Sequence, residues 1–348
     1  MTTKLKLLSA IRERFKFSVG KRLIVAGNGP RARSYDEVME KLADDGAVMN
    51  ALNEDALRTA LIGGLLANDK LAVFYEIDEG QLRSAHQKFD QALNSTPGHA
   101  LATAFPFTLT ETALRALPLN EPVPVHLLEM EGATALLFAT VRLVEKRENI
   151  DVRQLSPALT SIYQFVVGVK KQYVHAINAV VLPYAGNIAY ILSDNSEKTT
   201  PLSAQLDQIS LRNSANSLLG SNFFVKPINL FGAIKNLYKA PAEGDVALLS
   251  HTVADGIKHE RMKRGQCVRQ EDFHVGGAAA VAGDLNPYQL AVRWTVSTPF
   301  GKARPELELL GSVRMTYDLN PHLNEAVISG CATMDELQLV VAKILTYK

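Results

Sequence analysis

Cysteine is nearly absent from this 348-residue chain: Cys267 and Cys331 are the only two. Two thiols cannot build a disulfide framework and are not a metal-ligand cluster. Such scarcity suits a reducing compartment, so a cytoplasmic location is expected. Long apolar runs are missing too. No stretch approaches the ~18 consecutive apolar residues of a membrane-spanning helix, and no membrane insertion is expected. Near the N-terminus Arg12, Glu13, Arg14 and Lys16 interrupt the apolar run that a signal peptide needs. An excess of one charge sign is also lacking: 37 Lys and Arg oppose 36 Asp and Glu, a net of +1. That balance gives no global pull toward nucleic acid or an anionic membrane. There is no Walker lysine, no G-x-S-x-G elbow, no kinase motif set, no H-E-x-x-H and no paired C-x-x-C. No repeat of fixed period and no low-complexity tract stands out.

What is present is the composition of a folded chain, 47% hydrophobic and 21% charged. Leu5, Leu8, Ile11 and Phe15 recur at helical spacing among basic residues, which predicts a basic amphipathic helix. Lys21 to Ala26 reads as a short strand before Gly27-Asn28-Gly29, a weak candidate for a phosphate-cradling turn because the third glycine is missing. Ser34 with Glu37, Thr108 with Glu111 and Thr333 with Glu336 each have the capping-box spacing. Leu71 to Tyr75 reads as a buried strand, and Leu82, Ala85, Phe89 and Leu93 as one helix face. Pro122 and Pro124 suit the start of an edge strand, because proline cannot donate to a ladder. Ala135–Val144, Gln172–Leu182 and Ile188–Leu192 are β-prone, the last two joined by a turn-rich segment. Thr200-Pro201 opens a helix carrying Leu202, Leu206, Ile209 and Leu218.

From Tyr288 to Ser297 every even position is large and apolar, up to and including Trp294 and Val296. That period of two is the clearest strand in the chain. Leu307 to Tyr317 repeats it, and the two are expected to pair antiparallel, one face on the core and one in water. The fold class expected is α+β. A helix-rich part over 1–118 precedes a mainly antiparallel or mixed sheet over 121–348, with a possible linker at 240–244.

Two basic segments stand out. Lys4 to Arg22 holds seven Lys and Arg against Glu13, and Gly256 to Arg269 holds five against Glu260. Arginine matches phosphate oxygens bidentately and lysine adds a point charge. The residues expected to contact phosphates are Arg12, Arg14, Lys258, Arg261, Lys263, Arg264 and Arg269. Overlapping the second segment are His251, His259, Glu260, Glu271, Asp272 and His274, residue types that serve as metal ligands or acid–base pairs. Of these, Glu260, Glu271, Asp272 and His274 are the catalytic candidates. Their spacing carries no zinc signature, so neither metal nor cofactor is expected. The favoured expectation is a cytosolic binding or assembly protein, homodimeric, that contacts nucleic acid, chiefly DNA, without strong sequence preference. The alternatives are a hydrolase of a phosphate-containing substrate, built on residues 259–274, and a protein–protein scaffold whose basic stretches are merely solvated.

Overall fold

The protein is described by a computed structural model over residues 2–94, 98–196, 201–220, 222–253, 256–281 and 285–348. Five helices open the chain: α1 (Thr3–Arg14), α2 (Phe17–Ala26), α3 (Tyr35–Asp44), α4 (Gly46–Ala51) and α5 (Glu54–Ala67). Strand β1 (Lys70–Glu76) precedes α6 (Leu82–Asn94), α7 (Ala100–Ala104) and α8 (Glu111–Arg115). Then come β2 (Val123–Met130), β3 (Ala133–Ile150), α9 (Pro157–Thr160), β4 (Val166–Pro183), β5 (Ile188–Asp194) and α10 (Pro201–Leu219). β6 (Lys226–Pro227) and α11 (Phe231–Lys239) lead to the hairpin of β7 (Asp245–Val253) and β8 (Gly256–Arg261), then α12 (Asp272–Ala280). The chain ends with β9 (Asn286–Arg293), β10 (Val296–Thr298), β11 (Gly301–Ala303), β12 (Glu306–Leu310), β13 (Ala326–Ser329) and α13 (Met334–Tyr347).

The fold is α+β. One antiparallel sheet runs β2-β3-β4-β5-β1-β13-β12-β9-β7-β8, with the short β6 also on β1. β1, from the N-terminal third, sits in its middle, paired with β5 and β13. No cut at 118–121 leaves that sheet intact. Nor is 240–244 a free linker. The Arg269 guanidinium donates to the carbonyls of Leu237, Ala240, Glu243 and Gly244 and pins the turn. Gly244 has φ +51°, and a Cβ there would lie 2.8 Å from the Arg293 carbonyl oxygen, so only glycine fits.

Alternation along the strands explains the layers. On β1, Ala72 and Phe74 face one core, with α1, α2, α5, α11 and α13; Val73 and Tyr75 face a second, with α6 and α10. β3, β4 and β5 divide the same way, which is why their sequences read as continuous apolar runs: both faces are covered. Beyond Val144 the β3–β4 pair continues as an exposed two-stranded ribbon, paired as far as Ile150 with Val166. In the other half of the sheet Leu290 and Val292 of β9 and Leu307 and Leu309 of β12 face the first core. Arg293 and Glu306 pair across those strands on the opposite face. Trp294 continues the buried phase, its indole N–H donating to Glu243 at 3.2 Å.

Several expected elements differ. Residues 21–26 are helix, not strand, because Val19, Arg22 and Leu23 share a buried helical face. Gly27-Asn28-Gly29 is therefore a helix C-terminus, with Asn28 at φ +59°. The partial negative charge at such an end disfavours phosphate. The Thr108 cap moves to Thr110, which accepts from the Ala113 amide. The strand from Leu307 stops at Leu310, and Val313–Tyr317 is a 3-10 turn. On α10 part of the expected apolar face is turned outward: Leu206 and Ile209 are about half exposed while Asp207 and Gln208 are buried, although Leu218 still packs on the second core; the Leu202 side chain lies outside the described residues. The reason is Arg142 on β3, whose guanidinium takes Asp207 as partner and draws that side of the helix inward. Asn178 completes the cluster, donating to Asp207 at 2.8 Å. Thr200, at the start of that helix, lies outside the described residues.

Candidate metal centre on a basic sheet edge

β7 and β8 pair with Leu249 opposite Glu260 and His251 opposite Lys258, at one end of the sheet. His251 and Glu260 stand on the same side of the hairpin, one step apart diagonally, where long side chains meet. α12 then supplies the third member. Its N-cap is Glu271, whose carboxylate accepts from the His274 amide at 2.7 Å. That cap starts the helix so that His274, in its first turn, points inward and is buried. The exposed Asp272, Phe273 and Val275 flank it.

The result is a compact His–Glu–His cluster. Glu260 Oε1 lies 3.0 Å from His251 Nε2 and 2.8 Å from His274 Nδ1. The ligand atoms of the three residues lie within 4.8 Å of one another. Both imidazoles are buried and the carboxylate is partly exposed, so the cluster has one open side. His274 Nε2 sits 2.8 Å from the Tyr238 hydroxyl. Burial first, and the Glu260 charge second, raise the Tyr238 pKa, so the hydroxyl stays protonated at neutral pH. An outer hydrogen bond of this kind fixes the orientation of a ligating imidazole. His251 Nδ1 has no such partner among the described residues.

The donor set fits a metal ion. Tetrahedral zinc with donors at about 2.0–2.2 Å places them roughly 3.3 Å apart, and three donors within 4.8 Å of one another converge on one ion with modest side-chain shifts. Two imidazoles and one carboxylate suit a transition ion better than Mg²⁺ or Ca²⁺, which prefer oxygen. Linear spacing hides this set because its members come from two strands of a hairpin and a later helix, 9 and 14 residues apart.

The remaining expected site residues are dispersed. Glu271 is spent as a helix cap, and Asp272 is exposed outside the cluster. His259 points to the other side of the hairpin and bonds Ser250 at 2.8 Å. Lys258, Arg261, Lys263 and Arg264 are exposed on β8 and the turn after it, the same edge as Glu260. Half of the segment expected as a basic loop is thus strand. Arg269 faces inward, as described. Arg12 is exposed and paired with Asp36 at 2.9 Å. Arg14 is half-buried, bonding the His175 carbonyl oxygen at 3.1 Å. Arg22, counted among the N-terminal basic residues, is buried against Glu336 of α13. Tyr238 carried no signal in the sequence beyond its place on an amphipathic helix.

No helix among the described residues is long and apolar enough to cross a membrane. Comparison with family models, with curated proteins and with solved structures finds no match to this chain.

Proposed function

We propose that the β7–β8 edge and α12 hold a divalent transition-metal ion and that the protein hydrolyses a phosphate-containing substrate there, nucleic acid being the favoured class. The observation that carries this reading is a His–Glu–His donor set, both imidazoles buried and the carboxylate partly exposed, on the same edge as four exposed cations. His251, Glu260 and His274 would be the ligands, with Tyr238 orienting His274. A bound divalent ion supplies Lewis acidity and a water of lowered pKa. Lys258, Arg261, Lys263 and Arg264 would neutralise backbone phosphates, which makes association salt-dependent and nearly indifferent to sequence.

The test is hydrolysis of a labelled single strand and a labelled duplex with Zn²⁺ or Mn²⁺ added, wild type beside Glu260→Gln. The proposal expects metal-dependent cleavage that the variant lacks. Binding without cleavage, unchanged by Glu260→Gln, favours the simpler reading of a nucleic-acid-binding protein. That reading rests on the exposed Lys258, Arg261, Lys263 and Arg264 alone. Neither binding nor cleavage removes both.

A further inference from the structure

A larger concavity lies in the other half of the sheet. The end of α1, α5, the segment before α8 and strands β1, β4 and β5 enclose a cavity of about 370 Å³. Small-molecule sites span roughly 300–1,000 Å³. Phe15, Leu65 and Leu114 line part of it. The polar lining includes Arg14, Lys16, Lys70 and His175 together with the carboxylates Glu13, Asp69, Glu111 and Asp194.

Among the buried groups Arg14, Lys70, His175 and Asp194 the hydrogen bonds do not balance. Asp194 is satisfied, accepting from the Ser196 amide at 2.9 Å and the Ile177 amide at 3.3 Å. Lys70 gives one proton to the Ile177 carbonyl oxygen at 2.6 Å. Arg14 gives Nη1 to the His175 carbonyl oxygen and Nε to Thr108 at 3.2 Å, but Nη2 is buried without a partner among the described residues. His175 is 6% exposed, and neither ring nitrogen has a partner among the described residues. Burial, and then the Arg14 charge, lower its pKa to about 3, so the ring is neutral at pH 7, one nitrogen donating and one accepting. The unspent groups are therefore mostly donors, on one guanidinium, one ammonium and one imidazole. Leaving buried polar groups without hydrogen bonds costs free energy. A ligand that accepts those bonds would recover this, and an oxyanion accepts them best. The apolar wall favours a ligand with an apolar body.

We propose that this cavity is a binding site for a small organic oxyanion, a carboxylate or phosphate monoester on an apolar body, held by Arg14, Lys70 and His175. The inference is independent of the metal centre. An anion entering would also stabilise the protonated form of Lys70. Burial first lowers that pKa, to about 8, with Arg142 and Arg14 lowering it further and Asp194 and Asp69 opposing them.

The experiment is titration calorimetry on the full chain with 4-phenylbutyrate, phenyl phosphate and, as neutral control, 4-phenylbutanol. One anion should bind saturably at one per chain and at least tenfold more tightly than the alcohol. The tighter of the two identifies the head group as carboxylate or phosphate. At pH 8 its heat should vary with buffer ionisation enthalpy, reporting proton uptake that Lys70→Met abolishes. Arg14→Gln should weaken binding at least tenfold. Leu109→Trp, which narrows the cavity and alters no charged group, should do the same if Arg14→Gln fails to fold. Failure of both anions to bind at millimolar concentration, parity with the alcohol, or affinity unchanged in a folded Arg14→Gln or Leu109→Trp protein overturns the proposal.

Discussion

His175 should make the fold sensitive to acid, and the size of the effect follows from its surroundings. The ring is 6% exposed and its pKa lies at about 3, lowered by burial and by Arg14, with Asp194 acting the other way. In the unfolded chain the same ring titrates near pH 6.5. Between those values the unfolded state binds a proton that the folded state refuses, so stability rises with pH through this window and is lost as pH falls. One pKa unit corresponds to about 1.4 kcal/mol, so acidifying from pH 7 to pH 4 should remove about 3 kcal/mol through this one group. His175→Leu deletes the titration. At pH 7 it should cost little, because the ring makes no side-chain hydrogen bond that is lost. Urea unfolding of both proteins at pH 7, 6, 5 and 4 isolates the term as the difference between their pH slopes, other carboxylates cancelling. Wild type should lose about 3 kcal/mol more than the variant over that range. Parallel slopes would refute the assignment of His175 as a buried neutral ring.

Other outcomes follow from the packing. Trp294→Ala should cost about 3–5 kcal/mol as a large-to-small core change, readable as a shift in urea midpoint; an indole freely quenched by iodide would mean it is not buried. Leu211→Ala on α10 should cost about 2–5 kcal/mol, whereas Ile209→Ala, on the exposed side of the same helix, should stay within about 0.5 kcal/mol. Glu336→Ala leaves Arg22 buried without its partner and should cost about 3–5 kcal/mol. If the β8 edge binds nucleic acid, Lys263→Ala/Arg264→Ala should reduce the salt slope of anisotropy binding by about two units.

The sequence is most legible where large apolar residues recur with the period of the element. The β9 alternation and the α13 stripe of Leu337, Val340, Val341 and Ile344 lie where their spacing places them. It is least legible where polar residues go inside. Arg142, Asn178 and Asp207 are buried together, and their mutual bonding overrides the hydrophobic phase of α10. Lys70 and His175 read as ordinary polar residues at strand positions, and nothing local marks them as cavity walls. The short helix α2 defeats a strand reading because Phe17 to Ala26 is rich in β-branched and aromatic residues, while its tertiary contacts with α1 and α5 select helix. The His–Glu–His cluster was visible as residue types. Its assembly depends on the β7–β8 register, which no spacing rule contains.

Metal binding by that cluster decides the proposed function. The direct measurement is the zinc and manganese content of the chain after equilibration with each ion and removal of excess by gel filtration, wild type against Glu260→Gln and His274→Ala, with circular dichroism to verify folding. One bound ion per chain in wild type, and none in the folded variants, is the expected result. A metal-free wild type, or equal metal content in all three, contradicts it.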